Sequence, residues 1–221
     1  LRQQRAEREP ASELARRELS IGLLTLAQVL LTAGDLPGGE DAARRMLAIR
    51  EEILAEFGPD RRRRSDVATA RMVLGEALSV QGRFARSGER LASAREEFER
   101  LVRESPSDAR AREYLSRCLI AMSEDHLRAG VADDAASAGE AALAAIDDYE
   151  AASPNDALIR DLRGEAMLVT GEALVASGER LGSARKMLEE SMRGVEALRA
   201  ADPRRPEHRR RLARVCIALG D

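Results

Sequence analysis

The sequence predicts an all-α fold made of repeated pairs of antiparallel helices, and three periodic features predict it. Glycines recur at a spacing of 48 residues, at Gly34, Gly82, Gly130 and Gly178. Prolines recur at spacings of 47 to 49 residues, at Pro10, Pro59, Pro106, Pro154 and Pro203. Arginines keep nearly the same period, at Arg16, Arg64, Arg112, Arg160 and Arg209. Because three residue types share one period, we interpret the chain as an array of equivalent units rather than a domain around one core.

Each period is predicted to contain two helices with a glycine turn between them. In the second period, a proline-free stretch from about 65 to 81 is rich in Ala, Val, Leu and Glu. Gly82 follows it, and glycine tolerates the left-handed backbone that ends a helix. A second helix is predicted from about 86 to 104 and ends before Pro106. Apolar residues recur in it at helical spacing, as expected of a helix with one buried face.

Aspartates follow three of the prolines at a spacing of 48 residues, at Asp60, Asp108 and Asp156. The Asp108 carboxylate is predicted to cap the next helix by accepting a hydrogen bond from a backbone N–H group of its first turn. These signals divide the chain into a tail of a preceding repeat, four repeats and one partial repeat. The predicted boundaries are 1–11, 12–60, 61–108, 109–156, 157–205 and 206–221.

Two positions in each repeat carry only small residues, so two helix backbones are predicted to approach closely there. The first position lies seven residues before the turn glycine and holds Ala27, Gly75, Ser123 and Gly171. The second lies five residues after it and holds Gly39, Ser87, Ala135 and Ser183.

This arrangement of small residues, turn glycine and closing proline resembles the tetratricopeptide repeat. The stretches 47–51, 58–60 and 67–70 also resemble the long-helix repeats of the kinesin-light-chain kind. Arrays with such long periods are similar to the C-terminal regions of bacterial serine/threonine kinases, and the Arg-rich, Lys-poor composition suits a bacterial origin. The resemblance implies a right-handed superhelix of helix hairpins that binds a partner's peptide or helix in its concave groove.

The resemblance also implies which residues line that groove. Its acidic or polar row lies six residues before each turn glycine, at Gln28, Glu76, Glu124 and Glu172, with Asp221 in the partial repeat. Its apolar floor comprises Leu24, Met72, Ile120 and Leu168, followed by Leu31, Ser79, Leu127 and Val175. Thr69, Arg117 and Glu165 border it. Such a groove would suit a peptide with basic and apolar residues. The alternative is that these glutamates are solvated or paired with nearby arginines, since exposed pairs contribute little to stability.

The periodic arginines also allow two interpretations. They begin each first helix, so they could form a basic edge that binds an anion or a partner. The favoured interpretation is that they pair with Asp or Glu across the interhelical loop, since charge runs usually belong to solvated faces.

No arrangement of catalytic or cofactor-binding residues is found, so the chain is predicted not to be an enzyme and to bind no cofactor or metal. The only lysine, Lys186, stands outside any phosphate-binding loop. His126 and His208 have no second ligand at zinc spacing. Cys118 shares its repeat position with Gly22, Ala70 and Ala166, among others, which favours a buried cysteine.

Composition favours a protein or peptide partner. The net charge is only −3 and aromatic residues make up 2% of the chain, which argues against nucleic acid and anionic membranes. Without a signal peptide or a membrane span, the expected location is the cytoplasm. Self-association through exposed array ends is a further expectation. An alternative function is a regulatory or sensory arm of a larger bacterial signalling enzyme, such as a serine/threonine kinase, with catalysis outside this chain. A third is an all-helical enzyme with an unrecognised site.

Overall fold

The computed structural model describes residues 2–4, 12–154, 156–202, 204 and 206–220, and in this part the chain is helical almost throughout and has no strand. The helices of 14 to 22 residues are α1 (Glu13–Ala33), α2 (Leu36–Phe57), α3 (Arg61–Ser79), α4 (Phe84–Glu104), α5 (Ala109–Arg128), α6 (Ala132–Ala152), α7 (Ala157–Ser177), α8 (Leu181–Ala201) and α9 (Pro206–Leu219). The predicted all-α class is therefore confirmed. Pro10, Pro203, Asp221 and most of the predicted tail 1–11 lie outside the described residues.

The predicted helix ends are largely confirmed. Asp60, Asp108 and Asp156 accept hydrogen bonds of 2.7, 3.1 and 2.9 Å from backbone N–H groups in the first turns of α3, α5 and α7. Helix α3 begins directly after Asp60, about four residues earlier than predicted, because this cap is used. The turn glycines have φ between +72° and +87°, the left-handed values that favour glycine.

The chain divides into two compact units, Leu1–Glu104 and Ser105–Asp221. Unit 1 contains α1–α4, each packed on the next, and α1 also contacts α3. One of its core clusters is aliphatic and includes the buried side chains of Leu23, Met46, Leu47, Val67, Val73, Leu74 and Leu78. Unit 2 contains α5–α9 in the same consecutive arrangement, with α7 contacting both α5 and α9. One of its core clusters includes Ile120, Ile146, Tyr149, Ile159, Leu162 and Val169.

The two small positions of the repeat do bring helices together. In unit 1 the Ser87 hydroxyl donates a 2.9 Å hydrogen bond to the Gly75 carbonyl. In unit 2 the Ser123 hydroxyl donates a 2.7 Å hydrogen bond to the Ala135 carbonyl. A Cβ atom added at Gly75 would lie 2.8 Å from a side-chain carbon of Leu91, so a larger residue would clash there. The prediction of close backbone approach is confirmed for these two hairpins.

The prediction for Ser183 is wrong. Ser183 is exposed, and its neighbour Ala184 is fully buried in the small position. Arg180 has a positive φ of 49°, and α8 begins one residue later after its turn glycine than α2, α4 and α6 do. A Cβ at Gly171 would accordingly lie 3.4 Å from the Ala184 carbonyl oxygen. One extra residue in the turn therefore shifts the whole second helix by one position.

Candidate interaction surface

The residues predicted to line a groove fall on two separate sets of helices. In unit 1 they lie on α1 and α3, and we call this set the unit 1 face: Leu24, Gln28, Leu31, Thr69, Met72, Glu76 and Ser79. In unit 2 they lie on α5 and α7, and we call this set the unit 2 face: Arg117, Ile120, Glu124, Leu127, Glu165, Leu168, Glu172 and Val175.

The predicted apolar floor is not an open surface at its main positions. Met72, Ile120 and Leu168 are only 5%, 4% and 1% exposed. Ile120 and Leu168 belong to core clusters of unit 2. Of the other floor residues, Val175 is 42% exposed, whereas most of the rest are half-buried. The floor therefore offers a partner much less apolar surface than its sequence pattern indicates.

On the unit 1 face, polar groups are largely buried. Ser79 is buried, and so is Thr69, whose hydroxyl donates a 2.8 Å hydrogen bond to the Ser65 carbonyl. Gln28 is exposed and Glu76 is half-buried. Because Gln28 stands where the other repeats have Glu, the acidic row here is reduced to Glu76.

On the unit 2 face, two glutamates from different helices converge on one arginine. The Arg214 guanidinium, on α9, donates two hydrogen bonds to the Glu172 carboxylate, of 3.2 Å from Nε and 2.6 Å from Nη2. Its third nitrogen, Nη1, donates a 2.8 Å hydrogen bond to Glu124 on α5. Arg128, one turn along α5, donates a 3.1 Å hydrogen bond to the other oxygen of Glu124. The alternative predicted for these glutamates, pairing with nearby arginines, is thus what the structure shows.

The charges around Glu124 keep it ionised. Burial raises the pKa of the Glu124 carboxyl, but the charges and hydrogen bonds of Arg128 and Arg214 outweigh burial, so this pKa is lower than usual. Burial lowers the pKa of Arg214, and its two glutamate partners reverse this effect, so the net pKa is raised. We call the group of Glu124, Glu172 and Arg214 the guanidinium cluster. Within it, Glu124 and Arg214 are therefore charged at neutral pH.

A second charged row borders this cluster. Arg211 of α9 donates a 2.6 Å hydrogen bond to the Asp161 carboxylate and lies 3.4 Å from Glu165. Burial raises the pKa of the Glu165 carboxyl, the negative charges of Glu124 and Asp161 raise it further, and Arg211 opposes them. Arg117 instead donates a 2.9 Å hydrogen bond to Glu113 on its own helix.

Sequence reasoning missed Arg211 and Arg214 because they lie in the partial repeat. Arg214 stands 49 residues after Glu165, which had been placed at the border of the groove. Extending the register by that step would have placed an arginine beside the acidic row. The contact with Glu124 spans 90 residues of sequence, and no local pattern indicates it.

The periodic arginines pair with carboxylates in unit 1. Arg16 lies 2.5 Å from Glu56, and Arg64 donates a 2.9 Å hydrogen bond to Glu104. Each pair joins the start of the first helix to the end of the second, so it closes the open end of a hairpin rather than crossing its loop. In unit 2, Arg112 donates a 2.8 Å hydrogen bond to the Pro106 carbonyl instead. Pairing with carboxylates is therefore confirmed for the first two arginines, whereas its predicted place across the interhelical loop is wrong.

The remaining candidates, Cys118, His126 and His208, are buried or half-buried. Cys118 is fully buried, as its repeat position predicts. His208 is buried on α9, and His126 is half-buried near the end of α5. Among the described residues, no helix combines the length and apolar character needed to cross a membrane.

Comparison with known proteins adds no family to these observations. No protein-family model and no curated protein sequence matches the chain. Function is therefore inferred from the geometry of the two units.

Proposed function

We propose that this chain is a protein-interaction scaffold of the tetratricopeptide kind, which binds a basic peptide or helix of a partner on the unit 2 face. The repeat assignment is supported by the left-handed turn glycines and by the hydrogen-bonded small positions of two hairpins. The proposal assigns no catalysis to the chain. The observation that carries it is the convergence of Glu124 and Glu172 on a single guanidinium.

The geometry of the guanidinium cluster is suited to recognition of arginine. A planar guanidinium presents parallel N–H groups that match the two oxygens of a carboxylate, and charge-assisted hydrogen bonds are stronger than neutral ones. Glu172 is bound in this two-pronged way, and Glu124 binds the remaining edge. The arrangement thus already holds the side chain that a basic partner would offer.

Packing does not require these glutamates. Gln28 occupies their position in the first repeat, and the core of that repeat forms without a carboxylate there. Glu124 and Glu172 are followed one turn later by Leu127 and by the exposed Val175. A partner with an arginine and an aliphatic residue one turn apart would match this pattern of acid and apolar side chains.

Arg214 competes with such a partner. The Arg214 side chain is 41% exposed, so a partner that approaches from the solvent can reach and displace it. The partner's arginine would then take its place between the two carboxylates. The proposal therefore makes Arg214 an internal substitute for the bound group.

The test is fluorescence anisotropy with a labelled helical peptide that has one arginine followed one turn later by leucine. Arg214→Ala should tighten binding about tenfold, a difference of about 1.4 kcal/mol, because the carboxylates become free. The double change Glu124→Gln with Glu172→Gln should abolish binding. Arg185→Ala is the matched control, since it removes an arginine of α8 that is paired with Glu189 and does not belong to the unit 2 face. Equal affinities for all four proteins would refute the proposal.

A further inference from the structure

Unit 1 has a second surface feature that the proposed function does not use. A cleft of about 320 Å³ lies between α2 and α4, with α3 at its base. Its base is formed by Leu47, Leu74 and Leu78, which are 6%, 5% and 3% exposed, and Ala48 of α2, which is exposed, adds apolar surface to the lining. Clefts that hold small ligands or side chains begin at about 300 Å³. The cleft is therefore large enough for a few aliphatic groups but not for a whole helix.

The rim of the cleft is rich in arginine. Arg44 stands on α2, and Arg86 and Arg90 stand one turn apart on α4. Arg44 pairs with Glu40 at 2.5 Å. By contrast, Arg86 and Arg90 are exposed and have no ion pair or hydrogen bond within the part of the chain that the structure describes.

The two acidic side chains of the rim do not neutralise these arginines. Glu51 is paired with Arg71 of α3 at 3.1 Å. Glu89 lies between Arg86 and Arg90 along α4, yet neither guanidinium comes within 4.0 Å of it. The cleft thus offers two available guanidinium groups against one available carboxylate.

The repeat itself does not demand this charge. In unit 2 the equivalent helices are α6 and α8, and the positions of Arg44, Arg86 and Arg90 are held by Glu140, Ser183 and Met187. Glu140 is bound by Arg180 at 2.6 Å. Because the same helix packing forms without the three arginines, packing cannot explain why unit 1 has them.

We propose that this cleft docks an acidic peptide segment of a partner protein. One or two aliphatic side chains of the segment enter the cleft above Leu74, and its carboxylates bind Arg86 and Arg90. Arginine binds carboxylates in a planar, two-pronged geometry. The apolar base makes a peptide the occupant rather than a free inorganic anion, which would leave the base empty. The chemistry is opposite to that of the unit 2 face, and the two proposals are independent.

The test measures binding of three labelled peptides to the whole chain by fluorescence anisotropy. The probe is Glu-Glu-Leu-Leu-Asp-Glu, and its twins replace either the acids with amides (Gln-Gln-Leu-Leu-Asn-Gln) or the leucines with alanine (Glu-Glu-Ala-Ala-Asp-Glu). We expect both twins to bind at least about tenfold more weakly than the probe. Equal binding of either twin would overturn the proposal, since it requires both the carboxylates and the aliphatic side chains.

Matched protein variants locate the binding. The double change Arg86→Glu with Arg90→Glu should abolish binding of the probe. The control is Arg103→Glu with Arg193→Glu, which alters net charge equally at two exposed arginines outside the cleft. Loss of binding in the control as well would show a non-specific charge effect and overturn the proposal. Complete displacement of the probe by inorganic phosphate at the same concentration as unlabelled peptide would show a simple anion site and also overturn it.

Discussion

Unit 1 and unit 2 bury different side chains at the same place in the repeat. In unit 1, α2 buries Arg50, which is only 5% exposed, and in unit 2 the equivalent residue of α6 is the fully buried Ile146. The preceding helix has a fully buried serine at the same repeat position in both units, Ser20 in one case and Ser116 in the other. The repeat therefore fixes the position of a core residue without fixing its polarity.

The neighbouring side chains explain this difference. Arg50 donates a 3.2 Å hydrogen bond to the Ser20 hydroxyl and a 2.6 Å hydrogen bond to the Asp66 carbonyl. Asp66 in turn accepts a 2.9 Å hydrogen bond from Arg17. In unit 2 the residue equivalent to Asp66 is Leu162, which joins Ile146 in a hydrophobic cluster. A buried polar group is tolerated where its partners are present, and unit 1 supplies them as a set.

The largest expected effect comes from breaking that set. Arg50→Ala should lower the free energy of unfolding by about 3 kcal/mol, because it leaves a cavity and buried acceptors without donors. Urea denaturation followed by circular dichroism measures it. Arg45→Ala on the same helix is the control and should cost less than about 0.5 kcal/mol, since its contact with Asp41 is exposed and 3.9 Å long. Similar losses for the two variants would show that the buried hydrogen bonds contribute nothing.

A second comparison concerns a pair of charges between successive first helices. In unit 1, Arg17 of α1 donates to Asp66 of α3 at 2.9 Å. Three periods later in the sequence, Asp161 of α7 accepts from Arg211 of α9 at 2.6 Å. The two pairs occupy equivalent positions with their charges reversed. Helix packing thus brings the two positions into contact, and an ion pair forms there with the arginine on either helix.

A charge-swap experiment in unit 1 tests whether this contact tolerates either polarity. Asp66→Arg alone should destabilise by about 2 kcal/mol, because it removes a partly buried pair and places two arginines together. Adding Arg17→Asp should recover at least half of that loss, as the pair then has the polarity seen between Asp161 and Arg211. The coupling free energy from a double-mutant cycle is the measurement. A coupling of zero would mean that the two side chains do not interact in solution.

Much of the fold is readable from the sequence because its signals are local. A glycine at a helix end and an aspartate at a helix start act on the adjacent backbone, and Gly82 and Asp108 behave as predicted. The extra turn residue before α8 was not predicted, because Arg180 adopts a left-handed conformation that its residue type does not indicate. The unit 2 face was predicted only in part, since the reach of Arg214 to Glu124 depends on how three helices pack.

Within unit 2, two glutamates on the same face should respond oppositely to pH. The pKa of Glu124 is lowered, so its contribution to stability is present above its ordinary value of 4.5 and is lost as the pH falls through the folded-state pKa. The pKa of Glu165 is raised, so its contribution is present below 4.5 and is lost as the pH rises through the folded-state pKa. At neutral pH, the ionised Glu124 therefore stabilises the folded state, whereas the ionised Glu165 on the same face destabilises it.

We therefore expect Glu124→Gln and Glu165→Gln to have opposite signs at pH 7. The first should lower the free energy of unfolding by about 2 kcal/mol, since it weakens charged hydrogen bonds to Arg128 and Arg214. The second should leave stability unchanged or raise it, because glutamine resembles the protonated carboxyl that the site favours. Thermal unfolding at pH 7 and at pH 4 measures both. Destabilisation of equal size by the two changes would contradict the contrast.

The smallest expected effect on stability comes from breaking an exposed ion pair on the surface of α8. Arg185 and Glu189 lie 2.8 Å apart, one turn apart on α8, with side chains 78% and 40% exposed. Solvent screens such a pair, so Arg185→Ala should change the free energy of unfolding by no more than about 0.5 kcal/mol. Denaturation at low and high salt checks this, because screening makes the remaining contribution vanish as ionic strength rises. A loss near that of Arg50→Ala would mean that burial, which distinguishes these two arginines, does not decide how much a charged contact contributes to this fold.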